Sequence, residues 1–370
     1  MYYTSTDLNQ HSSLMSKLAH LHTSTQEKLP QITRIAIALF DEESDLVRTF
    51  IYSGKPSPLN HYQANLSQCH SLLQIAKSRA ARVVQDLSIY EDSQHEHAIK
   101  IYEAGYRSSY TLPLLSGTNL LGFIFFNSED KDVFDKRCLE HLDLIGNLLA
   151  LMVINELSEV MTLASTMKTA IDVTHFRDPE TAGHLSRMAH YSRLIAQRVA
   201  DDRNLNDHFI EHIFLFAPLH DIGKITVPDE ILFKRGPLTS QERKEMQKHC
   251  EAGRNLIDKL LCNYHLSNLD HTQVLRNIVL YHHEAIDGSG YPAGLAGESI
   301  PIEARIVAVA DVFDALTSER PYKSAWTNAD AFAELNRLSG DKLDASCVAA
   351  LNEALPEVIK IQKTFDSTEF

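Results

Sequence analysis

The sequence predicts a multidomain protein with an N-terminal α+β domain, a connecting helix and a C-terminal all-α domain. The chain has 370 residues, a length that is usual for two domains. Residues 30–140 contain apolar segments typical of strands, whereas from about Ser165 onward the apolar residues recur with a helical period. Glycine and proline cluster at 235–237 and 287–301, which we interpret as loops in the helical part.

The composition indicates an acidic protein from a reducing compartment. The hydrophobic content of 44% is sufficient for packed cores, and the formal net charge is -14. Such a charge disfavours nucleic-acid polymers and anionic membranes as partners, so an anionic substrate must be captured by local cations. The five cysteines are widely spaced and form no CxxC motif, which argues against a disulfide framework.

The N-terminal residues show no signal peptide, because no basic start precedes an apolar segment. The longest strongly apolar run, 144–155, is too short to span a bilayer. We therefore expect a cytoplasmic protein without membrane insertion.

The first 140 residues predict one helix followed by two pairs of strands. Leu14, Leu18 and Leu21 recur at helical spacing and predict an amphipathic helix within residues 1–29. The segments with strand character are 34–40, 46–52, 109–115 and 120–127. A helix is predicted over 71–86, and another from about Asp135.

This order of elements resembles a GAF-type sensory domain over residues 30–140. A PAS-like domain has a similar pattern. The resemblance implies a pocket for a small ligand, whose identity the sequence does not give. A domain that only dimerises is the alternative.

The predicted connecting helix, 141–170, carries an apolar stripe. Leu142, Ile145, Leu149 and Met152 follow a 3-4-3 spacing, as in a helix that packs on a partner helix. We interpret the stripe as the seam of a homodimer; an ordinary core helix is the alternative.

Side chains typical of metal sites recur through the second half of the chain. They are Glu180, His184, His220, Asp221, His249, His282, His283 and Asp311. Imidazoles and carboxylates together suit a cluster of two or three first-row transition metals. Such a cluster can activate water at neutral pH and hold a phosphate oxygen, so we expect a metal-dependent phosphohydrolase.

The spacing of the first ligands supports this hypothesis. Glu180 and His184 are four residues apart after Pro179, which places them on one helical face, although such pairs are also common on surfaces. On a helix the neighbours His220 and Asp221 diverge by about 100°, so Asp221 could bridge to a second metal. A buried ion pair is the structural alternative.

Other residues of this region could contact a substrate. Lys224 could hold a phosphate or protonate a leaving oxygen. Tyr291, in the glycine-rich loop that follows His282 and His283, could stack on a base or donate to a phosphate. Arg320 and Lys323 could hold a phosphodiester.

Asp311 lies in an otherwise apolar helix, where an unpaired carboxylate would be costly unless it binds a metal. Asp314 follows one turn later, and we assign it to the substrate-binding residues.

Four segments within residues 171–370 resemble the HD-GYP domain, a branch of the HD phosphohydrolase superfamily. They are RDPETAGH, HDIGK, HHEAIDGSGYP and ARIVAVADVFDALTSERPY, in the family's order. The resemblance implies an all-helical domain that hydrolyses the bacterial second messenger cyclic di-GMP to pGpG, and in some members on to GMP.

The resemblance also implies roles for single residues. One metal would be bound by His184, His220, Asp221 and Asp311, and the second by Asp221, His249, His282 and His283. Glu180 matches an acid that supports a third metal in some members. Substrate positions would be Lys224, Tyr291, Asp314, Arg320 and Lys323, with Asp221 and Lys224 as the catalytic pair. Family members favour iron or manganese; zinc remains an open alternative.

The sequence departs from the family pattern at three places. Ala182 stands where Gly is usual, Cys250 where Pro is common, and Ala285-Ile286 where a basic and an aromatic residue are common. The last change could weaken substrate binding. A cyclic di-GMP receptor with little turnover is therefore one alternative, and another HD-type nucleotide phosphohydrolase is a second.

Overall fold

Strands at both ends of the N-terminal unit come together in one antiparallel sheet. A computed structural model describes residues 13–55, 58–91, 96–175, 182–264, 271–319 and 324–365. The chain forms two compact units, Met1–Ser158 with Asn206–His208, and Glu159–Leu205 with Phe209–Phe370.

The N-terminal unit has α+β architecture, as predicted. Its strands are β1 (Arg34–Asp41), β2 (Leu46–Gly54), β3 (Gln63–Asn65), β4 (Arg82–Val84), β5 (Ser108–Ser116) and β6 (Asn119–Ser128), in the sheet order β3-β2-β1-β6-β5-β4. Its helices are α1 (Leu14–Gln26), α2 (His70–Ser78), α3 (Glu96–Glu103) and α4 (Lys136–His175), the last continuing beyond the unit.

The two faces of the sheet differ because side chains alternate along β1. Ile35, Ile37 and Leu39 belong to a core that includes the leucines of α1 and residues of α4. Ala38, on the opposite face, belongs to a smaller apolar cluster with residues of α2. Small alanines on this second face leave space between the sheet and α2.

The four predicted strands are confirmed, but the helix predicted over 71–86 is wrong in its second half. Helix α2 ends at Ser78, and Arg79 adopts a left-handed backbone with φ of 55°. The next residues form β4, in which Val83 lies opposite Tyr110 of β5. Strand β3 and helix α3 were not predicted; β3 is only three residues long, too short for a periodic signal.

The apolar stripe of the connecting helix lies in the core of its own unit. Leu142 and Leu149 are both 0% exposed and pack in the same cluster as β1, with Ile145 and Met152 partly buried beside them. The interpretation of this stripe as a dimer seam is therefore wrong, and the core-helix alternative applies. The predicted range 141–170 lies within the longer α4.

The opposite side of α4 exposes two large apolar side chains, Leu144 (70% exposed) and Leu151 (67%). By length and composition, Lys136–Thr162 passes the test for a membrane span, with a hydropathy of 1.5. Core helices of soluble proteins pass the same test, and the face of α4 that carries Leu142 and Leu149 belongs to the sheet core.

The C-terminal unit is helical, as predicted. After α4 come α5 (Ala182–Arg198), α6 (Ala200–Arg203), α7 (Asp207–Phe216), α8 (Asp229–Leu232), α9 (Ser240–Gln247), α10 (His249–Asn263), α11 (Thr272–Tyr281), α12 (Ile302–Thr317), α13 (Asn328–Leu338), α14 (Ala345–Glu353) and α15 (Leu355–Thr364). Residues of α5, α7, α10, α11 and α12 share one core, so the ends of these helices meet around a common centre.

Candidate metal centre

His220 and Asp221 lie between two short 3-10 helices, Ala217–Leu219 and Ile222–Thr226, rather than on the regular helix that was predicted. The second turn lies directly against the start of α10. A Cβ atom on Gly223 would stand 1.8 Å from the carbonyl oxygen of His249, so only glycine allows this approach. The approach brings Asp221 beside His249.

Four histidines have one ring nitrogen held by a fixed partner. The Nδ1 atoms of His220, His249 and His282 lie 2.9, 2.8 and 2.9 Å from the carbonyl oxygens of Ala217, Met246 and Ile278. Because a carbonyl oxygen can only accept, each Nδ1 must carry the hydrogen, and the lone pair is on Nε2. His184 Nδ1 lies 2.6 Å from a carboxylate oxygen of Asp314.

The donors that were predicted from the sequence and lie within the described residues fall into two groups, and within each group the donor atoms lie within 4.8 Å of one another. One group is His184, His220 and Asp311; the other is Asp221, His249, His282 and His283. Ligands that share one metal at roughly 2.1 Å are about 3.0–3.4 Å apart, so small side-chain movements would complete either site.

Asp221 lies between the two groups. Its Oδ2 is 3.1 Å from His220 Nε2, whereas its Oδ1 is 3.3 Å from His249 Nε2 and 3.6 Å from His282 Nε2. Burial would raise the pKa of Asp221, but Lys224 and His220 hold the pKa well below its usual value. Asp221 is therefore a carboxylate whose two oxygens face different groups.

The donor set fits divalent cations. Asp221 Oδ1 and His282 Nε2 are buried without a hydrogen bond among the described residues, although they lie close together. A polar atom buried in this way is costly, and a cation between them would remove that cost. Burial, followed by the neighbouring His282, lowers the pKa of His283, which keeps this imidazole neutral, as a metal ligand must be.

Lys224 lies at the edge of the centre. Its Nζ is 2.6 Å from Asp221 Oδ2, and the side chain is partly exposed. The ammonium group thus stands where it can meet an anion bound over Asp221.

The structure contradicts the assignment of Asp314 to the substrate-binding residues. Asp314 is 0% exposed and lies beneath His184. Its Oδ1 accepts from Arg187 Nε at 2.6 Å, and its Oδ2 accepts from Ser318 Oγ at 3.0 Å. Burial opposes ionisation, but His184 and Arg187 lower the pKa of Asp314 to about 2. Asp314 therefore orients His184, as second carboxylates do for metal-binding histidines.

The role of Arg187 was not recognised from the sequence. It is 5% exposed and bonded to Asp314, so it neutralises the buried carboxylate. The only sequence signal was its position one turn after His184.

The loop after His283 is held by a buried carboxylate. Glu284 accepts three backbone N–H groups, from Ala293 at 2.7 Å, Gly294 at 3.1 Å and Leu295 at 2.9 Å. This clamp closes the loop that carries Tyr291, whose ring centroid lies 4.8 Å from that of His283. Burial raises the pKa of Tyr291, so the phenol keeps its proton and can donate it in a hydrogen bond.

Three predicted residues, Glu180, Arg320 and Lys323, lie outside the described residues. Among the described ones, the structure brings together His184, His220, Asp221, Lys224, His249, His282, His283, Tyr291 and Asp311.

Comparison with known families identifies the helical part of the chain. Residues 171–347 match the HD domain family. This part of the chain is an HD domain. The predicted resemblance to the HD superfamily is thereby confirmed for the C-terminal unit. An HD domain implies divalent-metal binding, and the two donor groups could hold such ions.

Curated relatives include two kinds of cyclic dinucleotide phosphodiesterase. The cyclic di-GMP phosphodiesterase response regulator of Xanthomonas campestris is 45% identical over 210 residues, which are 57% of this chain and 52% of the relative. The 3'3'-cGAMP-specific phosphodiesterase 2 of Vibrio cholerae is 40% identical over 186 residues, 50% of this chain and 34% of the relative. The chain thus spans about half the length, or less, of these relatives.

Solved structures that are similar to part of this chain include GAF domains. One solved GAF domain, from a phosphoenolpyruvate-protein phosphotransferase of Coxiella burnetii, is 13% identical with a TM-score of 0.36. The alignment covers 42% of this chain and 90% of that domain.

We predict that Glu284→Gln loosens the loop of Tyr291. An amide offers one acceptor oxygen where the carboxylate offers two, so at least one of the three N–H groups loses its acceptor. Hydrogen exchange at the amides of Ala293, Gly294 and Leu295 should accelerate. Glu298→Gln, in the same loop but 83% exposed at its side chain, is the control and should leave those rates unchanged. Unaltered protection in Glu284→Gln would contradict the clamp.

Proposed function

We propose that this chain is a metal-dependent phosphodiesterase that hydrolyses cyclic di-GMP to pGpG, under the control of its N-terminal GAF-like unit. The observation that carries the proposal is Asp221, whose two oxygens face two separate donor groups in an HD domain. Relatives between 35% and 45% identical carry the name cyclic di-GMP phosphodiesterase, which favours this substrate.

In this proposal Asp221 would be a ligand shared by two ions. His184, His220 and Asp311 complete the first site, and His249, His282 and His283 complete the second. Glu180 would support a third ion. Imidazole and carboxylate ligands without thiolate suit iron or manganese.

When bound, the ions supply an activated water and neutralise charge on the phosphate. The protein's own groups orient the substrate. Lys224 stands beside Asp221 and is placed to donate to a nonbridging phosphate oxygen. Tyr291, whose ring lies next to that of His283, offers a protonated phenol and an aromatic face. Arg320 and Lys323 would bind other oxygen atoms of the phosphodiester.

Two alternatives differ in chemistry. The chain could be a receptor that binds cyclic di-GMP with little turnover, for which Ala285 and Ile286 are the sequence support. It could also act on another nucleotide, and the similarity to a 3'3'-cGAMP-specific enzyme names one candidate.

The decisive experiment offers both dinucleotides to the full chain, loaded with iron or manganese in the absence of oxygen. The proposal expects pGpG from cyclic di-GMP, with a higher kcat/KM than for 3'3'-cGAMP. Tight binding of cyclic di-GMP without formation of pGpG would favour the receptor alternative. A higher kcat/KM for 3'3'-cGAMP than for cyclic di-GMP would favour an enzyme that acts on another nucleotide.

Asp221→Ala should lower metal content and remove activity together. Without the shared carboxylate, two like-charged ions lose the anion that holds them close. Elemental analysis and the pGpG assay would be run on the same preparation, with Asp341→Ala, an exposed aspartate, as control. Two metals per chain retained in Asp221→Ala would show that Asp221 is not the bridge.

Arg320→Ala and Lys323→Ala should weaken cyclic di-GMP binding while metal content stays unchanged. Each removes a charge-assisted contact worth about 1.5–3 kcal/mol, roughly ten- to a hundredfold in affinity. Lys360→Ala, an exposed lysine on α15, is the control for loss of positive charge. Wild-type affinity in both test variants would refute their roles.

We also propose that the chain is a homodimer that pairs through the outer face of α4. Leu144, Leu148 and Leu151 follow a 4-3 spacing, with Leu144 and Leu151 exposed, and Asn155 continues the same pattern. An apolar seam in which one core position is occupied by Asn is typical of two-stranded coiled coils. The occupant of this face would thus be the same helix of a second copy.

Leu151→Glu should shift the protein toward monomer without unfolding it, because the change lies on the exposed face. Leu149→Glu is the matched variant: it buries a carboxylate in the sheet core and should cost about 3 kcal/mol or more of stability. Sedimentation at matched concentrations and thermal unfolding separate the two effects. A monomeric wild type, or a fully dimeric Leu151→Glu, would rule out the seam.

A further inference from the structure

Arg187 is hydrogen-bonded through all three nitrogens of its guanidinium group. Nε donates to Asp314 Oδ1 at 2.6 Å, and Nη2 donates to Asp314 Oδ2 at 3.1 Å and to Ser318 Oγ at 2.8 Å. The third nitrogen, Nη1, donates to the backbone carbonyl oxygen of Phe365 at 2.8 Å. Arg187 therefore joins helix α12, which carries Asp314, to the residue at which α15 ends.

Phe365 offers this carbonyl because α15 ends there. Its N–H still donates to the carbonyl oxygen of Ile361 at 3.0 Å, but its backbone, with φ of −114° and ψ of 41°, leaves the helical conformation. Carbonyl oxygens at the C-terminal end of a helix lack a partner within the helix and are favourable acceptors for a cation. The guanidinium of Arg187 binds one of these carbonyls.

The ring of Phe365 is held in place by a second contact with α5. It stacks on the ring of His190, one turn after Arg187, with 4.6 Å between the centroids and 24° between the planes. His190 is 5% exposed, and its ring also packs against that of Phe214, at 5.2 Å. Its Nδ1 lies 2.9 Å from Nη2 of Arg193. The stacked ring thus keeps the adjacent carbonyl of Phe365 within reach of Arg187.

The contacts of Phe365 continue, by way of Arg187, to a predicted metal ligand. Arg187 donates to both carboxylate oxygens of Asp314, and Asp314 Oδ2 lies 2.6 Å from His184 Nδ1. Arg187 is 5% exposed and Asp314 is 0% exposed, so water cannot easily replace a partner that is lost. The direction in which His184 presents its Nε2 therefore depends on contacts that reach the end of α15.

Two imidazoles of the other donor group are oriented differently. The Nδ1 atoms of His249 and His282 lie 2.8 and 2.9 Å from the carbonyl oxygens of Met246 and Ile278, which precede them by about one turn. Nearby backbone orients these two rings, whereas a series of side chains from three helices orients His184. The two donor groups therefore depend on different parts of the fold.

We propose that Phe365 is a positioning residue for the donor group that contains His184. Its carbonyl oxygen keeps Arg187, and thereby Asp314, in the place that directs His184 Nε2 toward the ion. Loss of this support should weaken the binding of an ion to this donor group alone. The inference rests on the two-ion centre of the proposed function, and it adds that the two sites are supported separately.

The test titrates Mn²⁺ into the full chain, freed of metal beforehand, and follows binding by calorimetry without substrate. His184→Ala and His283→Ala identify which binding step belongs to which donor group. Phe365→Ala removes the ring that holds the carbonyl in place. It should lower the affinity of the step that His184→Ala abolishes about tenfold, the low end for loss of an outer partner of a metal-binding histidine. The step that His283→Ala abolishes should be unchanged.

Three further variants separate positioning from a general loosening of the domain. Phe365→Tyr keeps the aromatic ring and should bind both ions as wild type does. Val358→Ala, 0% exposed on α15, removes methyl groups from the core of the HD domain and should lower its unfolding temperature while both affinities stay the same. Phe365→Ala in the His184→Ala background should leave the remaining step unchanged, because the contacts then have no ligand to direct.

Unchanged affinity at both steps in Phe365→Ala would overturn the inference and leave the proposed function intact. Equal weakening of both steps, or the same weakening in Val358→Ala, would also overturn it, because either result shows that α15 only stabilises the fold. A wild-type chain that binds no Mn²⁺ would overturn the two-ion centre itself, and the inference with it.

Discussion

The candidate metal centre depends on the contact between Gly223 and the first turn of α10. There the chain passes so close to the carbonyl oxygen of His249 that no side chain fits. The contact sets the distance from Asp221 to His249, and thereby the separation of the two donor groups. Metal–ligand distances tolerate deviations of only about 0.2 Å, so a small shift of this turn would leave Asp221 unable to serve both groups.

The side chains that the structure brings together in the candidate metal centre could be predicted because chemistry restricts their residue types. Histidines and carboxylates in buried, apolar surroundings have few structural explanations, and glycine-rich segments mark close approaches of backbone. The sequence could not separate Asp311 from Asp314, because both are acids on the same helix. Packing decides between them: Asp311 remains partly exposed near His220, while Asp314 is buried against Arg187.

The secondary structure of the N-terminal unit could also be predicted only in part. Alternation predicted the long strands correctly, since it reflects a sheet with two different faces. It could not reveal β4, whose three residues follow a left-handed Arg79 at the end of a helix. The sequence showed that Leu142, Ile145, Leu149 and Met152 form an apolar stripe on α4, but it did not show which surface the stripe packs against. The unit's own sheet buries Leu142 and Leu149.

The backbone carbonyls that hold His220, His249 and His282 have a further thermodynamic consequence. These rings are oriented by the fold before any ion arrives, so little side-chain freedom is lost when an ion binds. The corresponding cost is borne by folding, which must bury polar nitrogen and oxygen atoms in a dry interior. Ion binding and folding are therefore linked: occupancy of the centre and the free energy of unfolding of the HD domain rise and fall together.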